Sequence, residues 1–155
     1  MSLVIRPFEP RDLAACAAIF ERLPDWFGLA NANQGYLRGL SELPSFVAEQ
    51  NDRVVAFASL RFHDPASAEL ELIAVDRPFH RQGIGGTMLA HLEEELRKRG
   101  GVRLFHVKTR GPSQPDEGYE RTRHFYLAHD FIPLFETEAL WGPQDPALIL
   151  VKPFS

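Results

Sequence analysis

His80, Arg81, Gln82, Gly83, Ile84, Gly85, Gly86 and Thr87 stand between a strand-like run, AELELIAVD at 68–76, and a helix-like run that continues to about Arg99. A strand, a glycine turn and a helix start in that order make an anion site. Amides of the turn and of the first helical residues have no partner inside the helix, and the helix dipole adds partial positive charge. Gly83, Gly85 and Gly86 remove the side chains that would keep a phosphate away from those amides. The chemistry that suits such a corner is the grip of a diphosphate.

Spacing narrows the ligand. A nucleotide-hydrolase loop places lysine after its last glycine, whereas Thr87 follows Gly86. A dinucleotide fingerprint needs glycine where Met88 stands, and belongs after the first strand of a parallel fold. On the strand at 68–76, alternation places Leu70, Leu72 and Ala74 on one face and Glu69, Glu71, Ile73 and Val75 on the other. Two carboxylates on a half-apolar face are candidates for proton transfer, because partial burial raises a carboxyl toward neutrality.

The elements that must position these groups follow from periodicity. Leu3 to Phe8 read as a peripheral strand, with Pro7 suited to an edge or a strand end. Leu13, Cys16, Ala17, Phe20 and Leu23 recur at helical spacing after Pro10, and Pro24 ends that helix. Residues 25–44 read as a loop, a short second helix and a turn. SFVAEQ and RVVAFASLRF, joined through Asn51 and Asp52, make an antiparallel hairpin. After the strand at 68–76 comes a helix with the stripe Ile84, Met88, Leu92 and Leu96 and an exposed face of Glu93 to Arg97, Glu94 to Lys98 and Glu95 to Arg99 pairs. A strand, VRLFHVKT, a polar loop at 111–118, a short helix at 119–129 and two final strands complete the chain.

The 155 residues suit one domain, 1–155, with 45% apolar and 25% charged residues as in ordinary globular chains. A net charge of −4 with scattered basic residues lacks the footprint of a nucleic-acid binder. No run approaches the roughly 18 apolar residues of a membrane span, and the start lacks the basic and apolar regions of a signal peptide, so a cytoplasmic protein is expected. Cys16, the only cysteine, reads as a small buried helical residue and leaves no partner for a disulfide. His124 and His129 are five apart, and His63, His91 and His106 lie on separate elements, so no metal site is expected.

The glycine turn resembles the coenzyme A loop of the GNAT superfamily of N-acetyltransferases, in which Arg or Gln is followed by two residues, Gly, one residue, and Gly or Ala. Gly83 and Gly85 fill the two small positions. RHFYLAHDF resembles the family's fourth helix, with Phe125, Tyr126 and Phe131 in place. The element order also matches over nearly the whole chain. Three positions depart from the pattern: His80 for Arg or Gln, Tyr119 for a cofactor-contacting asparagine, and Asp130 for glycine.

The resemblance implies an α/β (α+β type) fold with a mixed, mostly antiparallel central sheet of about seven strands and flanking helices. It implies acetyl-CoA as acyl donor, no metal, and a small-molecule or protein amine as acceptor; a homodimer is common in the family. Backbone groups of Ile73, Ala74 and Val75 would hold the pantetheine arm in a gap beside VRLFHVKT, and residues 80–87 the diphosphate. Tyr126 would lie beside the cofactor sulfur and protonate the departing thiolate.

Attack by an amine also needs a proton acceptor, since a lysine-like amine with a pKa near 10.4 is mostly protonated at neutral pH. Glu71 is the candidate, directly or through water, with Glu69 the alternative. Trp26, Phe27 and Trp141 are plausible acceptor walls, and Asp116, Glu117 and Glu120 carry charge that suits a cationic acceptor. The other reading is a non-catalytic acyl-CoA binding or sensing module.

Overall fold

The computed structural model describes residues 2–23, 30–113 and 116–154, with backbone only at 30–33. Seven strands form one mixed sheet, β1 (Leu3–Pro7), β2 (Ser45–Gln50), β3 (Arg53–Asp64), β4 (Ser67–Val75), β5 (Leu104–Arg110), β6 (Ile132–Thr137) and β7 (Ala147–Pro153), in the order β1-β2-β3-β4-β5-β7-β6. Among the described residues, the α-helices are α1 (Leu13–Glu21), α2 (Ala30–Glu42), α3 (Ile84–Arg99) and α4 (Glu117–Ala128). The chain divides into two compact units, residues 1–61 with 71–100, and residues 62–70 with 101–155.

In the first unit, Cys16, Ile19 and Phe20 recur at helical spacing on α1 and form a core with Leu23, Leu40, Val47, Phe57, Leu72 and Ala74. Phe20 meets Phe57 edge to face at 5.1 Å. Each such large side chain, once buried, contributes about 1.5–3 kcal/mol. Burial pushes the Cys16 thiol up to about 12. α2 runs 13 residues, longer than its sequence suggests, although Asn and Gly are poor helix formers. Leu40 is buried in the core and Tyr36 and Leu37 pack against it, so tertiary contact outweighs local propensity.

The β2–β3 hairpin reverses through Asn51 and Asp52 at φ 54° and 61°, the left-handed pair that a two-residue turn requires. On β4, Leu70, Leu72 and Ala74 are buried while Glu71, Ile73 and Val75 are partly exposed, the alternation expected there; Glu69 departs from it, being buried as well. Phe57 packs in the core with Leu72 and Ala74, and Arg61 bonds Glu71. On α3, Glu93 is buried rather than on the expected exposed face.

In the second unit, β4 and β5 pair in parallel from Ser67↔Leu104 to Glu69↔His106. β5 pairs antiparallel with β7, and β7 with β6. Phe105, Val107 and Thr109 are buried on alternate positions of β5, and Phe105 packs on Phe131 at 5.5 Å between ring centres. Asp116 caps α4 by accepting from the Tyr119 amide at 3.1 Å. That helix ends with Asp130 at φ 72° and the Phe131 amide donating to the Tyr126 carbonyl at 3.1 Å, a left-handed stop that explains why glycine suits this position.

Candidate active site

One buried acid fixes the approach to the glycine turn. Asp76 is fully buried; Oδ1 accepts from Arg22 Nε at 2.7 Å, and Oδ2 from Arg22 Nη2 and Arg53 Nη2 at 2.9 Å each. Its amide donates to the Val55 carbonyl at 2.8 Å. Burial works to raise this carboxyl, but the two guanidiniums outweigh it and hold Asp76 below the ordinary carboxylate range. The sequence reading missed this anchor, because Arg22 and Arg53 are remote in the chain.

Beyond Asp76 the chain makes a single 3-10 turn, Arg77–Phe79, with the Arg53 guanidinium 5.1 Å from the centre of the Phe79 ring. The His80 ring folds back, and Nε2 lies 2.6 Å from the Val75 carbonyl oxygen. Arg81 and Gly83 take left-handed φ of 64° and 78°, and Gly83 delivers the chain into α3. Among the described residues, nothing lies within 4 Å of where a Cβ at Gly83 would stand, so they leave the corner open at that position. Among the described residues, no side chain caps α3. The Gly83 carbonyl accepts from both the amide and the hydroxyl of Thr87 at 3.0 Å, which secures the first turn. Amides at Ile84, Gly85 and Gly86 have no acceptor within the helix and an anion can take them.

Side chains of this expected set divide by role. Arg81 and Gln82 are exposed, whereas Ile84 is buried and can offer only its backbone. Ala74 likewise belongs to the core, while Ile73 and Val75 are partly exposed. Both Glu71 oxygens accept from Arg61, Oε2 from Nε at 3.0 Å and Oε1 from Nη2 at 3.3 Å.

The second unit holds Tyr126, 5% exposed, with its ring 5.4 Å from Phe125 and 5.6 Å from Phe131. It also holds Glu69, nearly sealed at 3% exposure. Oε1 of Glu69 lies 2.5 Å from His63 Nε2 and 3.7 Å from His106 Nε2, and Oε2 lies 3.1 Å from Lys108 Nζ. Burial pushes the carboxyl upward, but the contacts from His106, His63 and Lys108 prevail and bring it to about 2. The expectation of a carboxyl raised toward neutrality fails for Glu69, an ionised group with little appetite for a proton. No sequence signal joins His63 to His106, because the placing of their strands on either side of β4 is a tertiary fact.

Trp141 is half exposed in the turn after β6, and Trp26 and Phe27 lie outside the described residues. Asp116 is engaged as the α4 cap and faces Arg110 Nη1 at 4.0 Å, so the polar loop is not an unopposed anionic patch.

The family model for the acetyltransferase (GNAT) family matches residues 10–131. Among solved structures, the ribosomal-protein-S18-alanine N-acetyltransferase of Escherichia coli is 25% identical, with 99% of this chain and 95% of that one covered at a TM-score of 0.80. A putative GNAT acetyltransferase from Desulfovibrio desulfuricans shares the fold at 19% identity and a TM-score of 0.85, covering 99% and 100% of the two chains. PaiA N-acetyltransferase from Thermoplasma acidophilum, solved with coenzyme A, does so at 16% identity and 0.76, covering 99% and 100%. Since the match runs from α1 through the glycine turn to the end of α4, this protein belongs to the GNAT family of acetyltransferases.

Proposed function

We propose that the chain catalyses direct attack of a primary amine on the thioester of acetyl-CoA, its acyl donor, with residues 80–87 gripping the diphosphate and Tyr126 supplying the leaving-group proton. The supporting observation is the open, left-handed corner at Gly83, immediately ahead of the uncapped amides of α3. Backbone groups of Ile73 and Val75 bind the pantetheine arm. Glu71 receives the amine proton through water: each of its oxygens accepts from Arg61 and keeps a further lone pair. Glu69 takes no part as base. The reaction runs in the cytoplasm, where an unpaired Cys16 stays reduced.

The S18-alanine enzyme among the similar structures makes a peptide α-amine the first acceptor to test, ahead of polyamines and small metabolites. Release of free coenzyme A is measured against that panel; donor binding without turnover on any amine would leave only a binding module. Gly85→Val weakens acetyl-CoA affinity about ten- to a hundredfold, the worth of one or two charge-assisted bonds, with the fold intact. Tyr126→Phe lowers kcat about ten- to a thousandfold at similar cofactor affinity, and an unchanged kcat would remove Tyr126 from the mechanism.

A further inference from the structure

We propose that His63, Glu69 and His106 form a binding site for one divalent d-block cation of the zinc class. The argument rests on convergence. His63 comes from β3, Glu69 from β4 and His106 from β5, and their three ligand atoms lie within 4.8 Å of one another. Both imidazoles aim Nε2 at the same carboxylate oxygen, and their rings stand 5.6 Å apart. Adjacent strands hold the three groups, so little chain ordering is left to be done on binding.

Ligand spacing suits a metal. Ions bound at about 2.0–2.2 Å in tetrahedral geometry set their ligand atoms roughly 3.4 Å apart. The 3.7 Å between His106 Nε2 and Glu69 Oε1 is already close to that value. The 2.5 Å between His63 Nε2 and the same oxygen must open by about 1 Å. His63 is the most exposed of the three, with 48% of its side chain accessible, so its ring has room to draw back. Without metal, an Nε2–H of His63 donates to Glu69; with metal, Nε2 gives up that proton, an imidazolium releasing it to solvent and a neutral ring taking one up at Nδ1 in exchange, and the Nε2 lone pair binds the ion.

Donor chemistry selects the ion. Two imidazoles and one carboxylate suit zinc, cobalt, nickel or copper, whereas calcium and magnesium demand oxygen ligands in larger number. Lys108 engages Oε2 at 3.1 Å, leaving Oε1 for the metal and orienting the carboxylate from behind. Its positive charge also opposes a cation, which further disfavours weakly bound ions such as Mg²⁺ or Mn²⁺. Three protein ligands leave a fourth position for water on the solvent side of His63.

The full chain, without an affinity histidine tag and stripped by a chelator, is titrated with Zn²⁺ against an indicator dye and with Co²⁺ by visible ligand-field absorption. One equivalent should bind, and Zn²⁺ should raise the thermal midpoint. His63→Ala and His106→Ala should each weaken binding by about a hundredfold or more, beyond the effect typical of outer-sphere substitutions, with circular dichroism unchanged. His124→Ala should leave binding as it was. Should one histidine variant fail to fold, the other and Glu69→Gln carry the same test. Absence of a bound equivalent, or affinity that survives loss of both His63 and His106, overturns the site. Since the readout is metal affinity, its failure is separate from any failure of acetyl transfer.

Discussion

Asp76 and Glu69 are both buried carboxylates, seven residues apart in sequence, yet their surroundings give them opposite prospects. Asp76 is gripped by two guanidiniums, which stay charged at any accessible pH and offer no lone pair. Glu69 faces one ammonium and two imidazoles, groups that can lose a proton and coordinate. Burial penalises both anions in the same way. What differs is whether the compensating partner can be exchanged, and that difference separates an anchor from a site.

The comparison can be broken at several points. Asp76→Ala should cost the most, about 3 kcal/mol in urea unfolding; Arg22 and Arg53 remain half exposed, so their charges can rehydrate and the cost stays at the lower end for a broken buried pair. Part of that loss should appear with acid alone. A carboxyl held below its ordinary value adds stability that is present above about pH 3.9 and is lost as the pH falls through the lower folded value. Asp76→Asn should therefore flatten the acid limb of the stability curve, leaving the shares of Asp12, which Arg6 depresses likewise, and of Glu69, held at about 2. An unchanged acid limb would remove Asp76 as a charged anchor.

Glu69→Gln should cost less, about 1–2 kcal/mol, because His63 and Lys108 reach water and the amide keeps an acceptor. A cost above that of Asp76→Ala would reverse the contrast and make Glu69 the structural acid. Arg53→Ala should cost least, about 1 kcal/mol, since Arg22 still bonds both Asp76 oxygens. Denaturant midpoints of the three variants at one pH rank them directly.

Local chemistry and distance explain what the sequence could disclose. The glycine turn and the amphipathic runs of α3 and α4 are written in contiguous residues, and so were legible. Asp76 as an anchor was not, for its partners enter from the end of α1 and the start of β3. The meeting of His63 with His106 needed β3 and β5 to flank β4, an order that periodicity does not contain. Alternation grouped Glu69 with Glu71, but the burial of Glu69 among His63, His106 and Lys108 leaves no mark in the run itself. The length of α2 was hidden by weak helix formers whose stability comes from packing on the core.

The seclusion of Cys16 has a use at the bench. With its sole sulfhydryl sealed away, the folded polypeptide should give no background to a chromogenic disulfide reagent counting liberated coenzyme. A cysteine installed anywhere on the surface would then be the single point of attachment for a fluorophore.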